Sequence, residues 1–311
     1  MLSHARLSLL TMKKVLRILL WSIPLLCQSH DALAWGLYTH VFFAQWLMWG
    51  VPLLDSRLRR AALRHPRLVM AGACLPDLAL VGKHVGTQAF NHTHDWEGAL
   101  RMMREAESDG QRALALGYQS HLLVDVIAHH HFVPAHEHLW LNLPVLTHAA
   151  SEWAMDAHIQ PHLLATPASL LRDDAGEISQ HIARHFAVET AAARRALKLL
   201  ARADGVLRGS RLPQLLYQGA ARLDSRLPRR FDYFVAQTTR RLSEINQIAD
   251  GCSPLADADG GCPHVARDRL AYFTVAQIRR GQPLPGDCFY SISDTAATMP
   301  PSAMPASTSV G

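Results

Sequence analysis

An all-α fold, a single-domain helical bundle with long loops, is what this chain predicts, and three observations carry the prediction. Apolar residues recur at helical spacing through most of the chain. No run shows the sustained apolar–polar alternation, punctuated by turns, that a sheet requires. One stretch, Ser120–Phe132 (SHLLVDVIAHHHF), sets His121, Asp125 and His129 at i, i+4 and i+8 of an otherwise apolar helix. Each step of four residues turns only about 40° around a helix axis, so these side chains share one stripe. Unpaired carboxylates and imidazoles are costly in an apolar interior. A bound metal ion is the simplest compensation, and it directs attention to further ligands.

The chain begins with the features of an export signal. Lys13, Lys14 and Arg17 precede the apolar run Ile18–Cys27, and Ala32-Leu33-Ala34 follows a short polar stretch. These are a charged region, an apolar core and an A-x-A cleavage site. The apolar run falls short of the roughly 20 residues that span a bilayer. Residues 1–34 are therefore expected to be a signal peptide cleaved after Ala34, which directs the protein to the periplasm or beyond the cell. The mature chain would begin at Trp35, in WGLYTH. A terminal amine and the carbonyl of its own residue can form a five-membered chelate, and His40 lies close enough in sequence to join it.

Removing residues 1–34 takes away four basic side chains and one acidic one, and the formal net charge falls from +5 to +2. So nearly neutral a chain gives no support for broad electrostatic binding of nucleic acid, and no stable nucleic-acid partner is expected. The remaining residues, with a main domain over 35–294, suit one large domain. Cys74, Cys252, Cys262 and Cys288 survive, an even number compatible with disulfides in an exported protein. Cys252 and Cys262 flank a Gly- and Asp-rich loop and form the preferred pair, with Cys74–Cys288 as the complement.

Helices are expected over Val41–Trp49, Arg57–Arg64, Trp96–Ala106, Arg112–Ala128 and Val145–Leu164, then over Glu177–Ala203 and Arg230–Ile248. Residues 295–311, rich in Pro, Ser, Thr and Ala, read as a disordered tail. The arginines scattered along the C-terminal helices read as solvated faces, with contact to an anionic membrane surface as the second reading.

Of the 19 histidines, 14 fall between His40 and His162. Two pairs stand at i, i+4, His121/Asp125 and His148/Glu152. Asp77 lies in the turn-rich GACLPDLALVG, and FNHTHDW offers His92 and His94. Histidines with carboxylates and no nearby cysteine suit zinc better than calcium or an iron–sulfur centre.

In their order and spacing, WGLYTH, GACLPD, FNHTHDW, SHLLVDVIAHHH and HAASEWAMD resemble the zinc-dependent phospholipase C family. That family shares a helical fold and a trinuclear site with single-strand-specific nucleases. The resemblance runs from Trp35 to about Asp156, and it implies three zinc ions. One would take Asp77, His94, His121 and Asp125, with His92 as the alternative histidine. A second would take the amine and carbonyl of Trp35, His40 and the bridging Asp125. The third would take His148, Glu152 and a histidine of the HHH run. His129 fits the helical stripe and the shorter spacing of members that resemble glycosylphosphatidylinositol-cleaving enzymes, while His131 fits the longer spacing of the bacillary phospholipases and the nucleases. His129 is the one adopted.

The implied activity is phosphodiester hydrolysis by metal-activated hydroxide, with Asp77 beside the attacking water as a catalytic residue. Phospholipid is the preferred substrate and implies peripheral membrane contact. A single-strand nuclease and a non-catalytic zinc-binding protein are the alternatives.

Overall fold

The computed structural model describes residues 36–133, 135, 136, 140, 144–252 and 258. Among these residues every regular element is helical, as the apolar spacing predicts. Trp35, Cys262, Cys288 and the tail 295–311 lie outside the described residues, and so do both expected disulfides as pairs.

The first three helices are α1 (Leu37–Trp49), α2 (Ser56–Arg64) and α3 (Pro66–Gly72). Residues 73–95 are a succession of short pieces rather than a long loop. They comprise 3₁₀ turns at Pro76–Leu78, Lys83–Val85 and Ala89–His92, with the single-turn α4 (Ala79–Gly82) among them. Next come α5 (Trp96–Arg104), α6 (Asp109–Ile127) and a π turn over Ala128–Phe132. The second half holds α7 (Pro144–Ile159), α8 (Pro167–Asp173), α9 (Ala175–His185) and α10 (Thr190–Gly209). It ends with α11 (Leu212–Leu223), α12 (Leu227–Arg241) and α13 (Ile245–Ala249).

The centre of the bundle is α6, which packs against α1, α2, α3, α5 and α13. It starts three residues before the expected Arg112 because Ser108 and Gln111 form a capping box. The Ser108 hydroxyl accepts from the Gln111 amide at 3.2 Å, and the Gln111 side chain accepts from the Ser108 amide at 3.2 Å. The S-x-x-Q signature satisfies two of the orphan donors at a helix start. From Ala113 to Asp125 every side chain is buried, so this stretch of α6 has no solvent face.

Two glycines let α3 meet α6 backbone to backbone. A Cβ on Gly72 would lie 2.2 Å from the Leu114 carbonyl oxygen, and one on Gly117 would lie 1.9 Å from that of Val69. This approach brings the Ala73 carbonyl beside His121, one turn further along α6. Gly117→Ala is expected to destabilise the protein by about 1–3 kcal/mol through overpacking, although alanine is ordinarily the better helix former. Urea unfolding measures this, and equal or greater stability would refute the close approach.

Apart from the single-turn α4, three helices escape the sequence reading, and each carries proline in its first turn: Pro66 in α3, Pro167 in α8 and Pro213 in α11. Proline costs nothing there because the missing N–H would have no helical partner. Two expected helices are each broken. Glu177–Ala203 divides into α9 and α10 around Ala187, which takes a left-handed φ of 52°. Arg230–Ile248 is α12, a 3₁₀ turn over Leu242–Glu244, and α13. The helix expected to reach Leu164 ends at Ile159 and passes into a 3₁₀ turn containing Pro161.

Candidate metal centre

The site is assembled around Asp125, in the last turn of α6 and 0% exposed. Its Oδ2 stands 2.9 Å from His121 Nε2 and 3.5 Å from His94 Nε2, and its Oδ1 stands 3.2 Å from His40 Nε2. His40, also 0% exposed, comes from the first turns of α1 and stacks on the His121 ring with centroids 3.6 Å apart. His94 precedes α5, whose N-cap Asp95 accepts from the amides of Glu97 and Gly98 at 3.2 and 3.0 Å. Asp77 sits in the 3₁₀ turn after α3, buried to 3% exposure. Ligand atoms of His40, His121 and Asp125 lie within 4.8 Å of one another, as do those of Asp77, His94 and His121.

A second shell of contacts aims these groups. The His121 Nδ1–H donates to the Ala73 carbonyl at 2.8 Å. With Nδ1 engaged there, Nε2 is the nitrogen that His121 presents to the site. Thr93, beside His94, donates its hydroxyl to the Pro76 carbonyl, and Tyr118 donates to the Thr93 carbonyl. The turns that carry Asp77 and His94 are thereby tied to each other and to α6.

The donor chemistry fits a cation. His121 Nε2 faces an Asp125 oxygen at 2.9 Å and His94 Nε2 at 3.3 Å. Neither Asp125 oxygen and neither His40 nitrogen has a well-oriented hydrogen bond, although all four atoms are buried. Buried polar atoms left without well-oriented hydrogen bonds are costly, and a cation among them would offset that cost. Two nitrogens bound tetrahedrally at zinc distances would stand about 3.3 Å apart, the separation seen between His94 and His121.

Protonation follows from burial. It pushes the Asp77 carboxyl up to about 8, against the opposing pull of His121 and with the help of nearby Asp125, Glu152 and Asp156. It pushes His94 and His129 down to about 3, so both are neutral at pH 7 and ready to donate a lone pair. Burial would also raise Asp125, but the His121 and His40 imidazoles hold it well below the ordinary carboxylate range. Asp125 is the ionised group at the centre.

The remaining residues lie in the same buried region. His148 Nε2 and Glu152 Oε1 on α7 are 2.8 Å apart. His129, in the π turn, has its ring centroid 5.2 Å from that of His148. Burial pushes Glu152 up to about 7, with Asp125 among the charges it feels. Of the paired alternatives, His92 is exposed while His94 is buried against His121, and His129 has its ring beside that of His148. His136 is occupied elsewhere, donating Nδ1–H to the Phe132 carbonyl at 2.7 Å and packing on Phe231 and Phe234.

Sequence reasoning missed the supports Thr93, Tyr118 and Ala73, whose contacts join segments remote in sequence. It also missed a second polar group, His158, whose Nδ1 meets the Tyr217 hydroxyl at 2.9 Å and whose Nε2 meets Asp232 at 2.8 Å. His158 lines a cleft of about 510 Å³ with Phe42, Trp46, Trp49 and Leu164.

A buried carboxylate ringed by imidazoles, inside an all-α bundle, defines a helical protein with a candidate metal centre. The comparison with known families names it more closely. The zinc dependent phospholipase C family matches residues 39–205, and the chain belongs to that family. The match continues past Asp156, where the motifs legible by eye end, through α8 and α9 and into α10. No curated protein and no solved structure gives a significant match.

Proposed function

We propose that this zinc-dependent hydrolase is an exported phospholipase C that uses three zinc ions. The observation that carries the metal reading is the convergence of His40, His94 and His121 on Asp125, whose two buried oxygens, like both nitrogens of His40, lack a well-oriented hydrogen bond. Asp77, His94, His121 and Asp125 hold one ion. Asp125, His40 and the amine and carbonyl of Trp35 hold a second, and His129, His148 and Glu152 hold the third. The N-terminal ligand requires cleavage after Ala34. It accords with the start of α1 at Leu37, only three residues before His40.

Zinc bound at such a site makes water a usable nucleophile near neutral pH and neutralises charge on phosphoryl oxygens. The protein's own residues supply the remainder. Asp125, ionised and bridging, keeps the two neighbouring positions close together. His94 and His129, neutral at working pH, donate lone pairs without first losing protons. Asp77, the carboxylate placed beside the attacking water by the resemblance to the family, orients that water and accepts its proton. The bond broken lies between glycerol and phosphate, which yields diacylglycerol and a phosphorylated head group.

Support for a lipid substrate comes from the aromatic cleft. Trp46 and Trp49 are 39% and 65% exposed and Leu164 is 64% exposed, all lining one opening. Exposed tryptophan and leucine beside polar groups suit the boundary between water and lipid, and this face is the proposed site of peripheral membrane contact.

The test is turnover by the mature protein, with its zinc content measured, on phosphatidylcholine vesicles, single-stranded DNA and a soluble bis-aryl phosphodiester. Zinc-dependent release of phosphocholine is expected. Release of nucleotides alone would replace the lipid reading with a nuclease, and zinc binding without turnover would exclude catalysis on all three substrates.

A further inference from the structure

α1 begins without the usual capping side chain. Its N-cap is Gly36, at φ −60° and ψ 153°, and no side chain of its own can accept from the first amides. Ser, Thr, Asp or Asn ordinarily does this. Here the carboxylate comes from another helix. Asp156, on α7 and 0% exposed, accepts from the Thr39 amide at 2.9 Å and from the Thr39 hydroxyl at 2.7 Å through Oδ1. The carboxylate occupies the space a side chain at position 36 would need, since a Cβ there would lie 2.0 Å from Asp156 Oδ2. Glycine at 36 and aspartate at 156 are thus two halves of one cap.

The cap is held from behind. Asp156 Oδ2 pairs with Arg208 Nη2, and Arg208 Nε donates to Asp204 Oδ1 at 3.1 Å. The Arg208 guanidinium lies 4.0 Å over the Tyr38 ring, in the same first turn of α1. Buried charges are tolerated when they are paired and hydrogen-bonded in this way, and the positive end of the α1 dipole favours a carboxylate at this point.

What the cap holds is one residue from the metal centre. Thr39 precedes His40, which faces Asp125. On α7, Asp156 lies one turn after Glu152 and two after His148, so His148, Glu152 and Asp156 form an i, i+4, i+8 stripe like that of His121, Asp125 and His129. We propose that Asp156 is a positioning residue of the metal centre. It clamps the first turn of α1 to α7 and so fixes the distance between the His40–Asp125 side and the His148–Glu152 side. This rests on the reading of those residues as zinc ligands.

The test measures zinc affinity and stoichiometry, by competition with a chromophoric chelator, on folded wild type, Asp156→Asn and Thr39→Val. Measurements are made well below each protein's melting temperature, with helix content checked by circular dichroism. Substitutions that disturb the supports of metal ligands typically weaken binding about 10–100-fold, and Asp156→Asn is expected to fall in that range. Its kcat on a soluble phosphodiester at limiting zinc should fall with little change in KM, and excess zinc should restore much of the loss. Thr39→Val leaves the Asp156–Arg208 pair intact and removes one bond of the cap, so a drop of several-fold is expected. It decides the matter if Asp156→Asn does not fold. Wild-type zinc affinity in whichever of these variants folds would reduce Asp156 to a structural role and overturn the proposal. Failure of the wild type to bind zinc would instead overturn the ligand reading beneath it.

Discussion

Asp125→Asn is expected to strip zinc from the centre and to lower phosphodiesterase activity by about 10³-fold or more. Both Asp125 oxygens are engaged toward imidazoles, Oδ1 toward His40 and Oδ2 toward His121 and His94. An amide offers one acceptor oxygen in place of two and no negative charge, and its NH₂ would face a lone pair of His40 or of His121. The substitution therefore removes the bridge and ties up, in a hydrogen bond to the amide, a lone pair that would otherwise reach the cation. Transition-state charge stabilisation by metal ions is worth several kcal/mol, and about 4 kcal/mol corresponds to three decades of rate. The checks are elemental analysis and the rate on a soluble phosphodiester, with circular dichroism to confirm folding. Full zinc and full activity in Asp125→Asn would remove Asp125 from the centre.

The sequence carried this residue plainly because its partner His121 lies one helical turn away, and neighbours of that kind are visible in spacing alone. His148/Glu152 was legible for the same reason. His129 was legible only in part. The stripe assumed a regular α-helix, whereas the chain passes through a π turn at Ala128–Phe132, which changes the angular step between Asp125 and the HHH run. The structure nevertheless leaves His129 beside His148. Asp77, His94 and His40 have no helical partner in sequence, and the resemblance to a family pointed to them. Their convergence depends on the Gly72–Gly117 approach, the Thr93–Pro76 bond and the Asp156 cap. Each joins segments far apart in the chain through a backbone atom or the absence of a side chain, features without periodicity. The fold class was legible because burial imposes a repeat on every helix. The helix starts at Pro66, Pro167 and Pro213 were not, since proline signals a break in most positions and a beginning in one.

The buried carboxyls make a second large effect, this one on pH dependence. Asp77 has its carboxyl pushed up to about 8 and Glu152 to about 7 by burial, from ordinary values near 4. Between pH 6.5 and 8 the unfolded chain has both ionised, while the folded zinc-free protein retains the Asp77 proton and part of that of Glu152. Stability rises with pH only where the unfolded state binds more protons; on these two carboxyls it binds fewer, so their own contribution to the stability of the zinc-free protein falls as pH rises through this window. The loss is about 1–2 kcal/mol, at 1.36 kcal/mol per proton per pH unit. His94 and His129, at about 3, are neutral in the folded state throughout the window. His136, His181 and His185 are likewise held neutral in the fold, and unfolded histidines are about half protonated at pH 6.5, so the five together oppose this slope below about pH 7 and leave a net fall in stability above it. Zinc binding requires both carboxyls to ionise and should release about 1–1.5 protons at pH 7, with affinity rising up to about pH 8. Titration calorimetry in buffers of different ionisation enthalpy measures that number directly, and thermal melts of the zinc-free protein measure the slope. Zinc uptake at pH 7 with no proton released would show that Asp77 and Glu152 are already ionised before the metal arrives, and would overturn the upward shifts assigned to their burial.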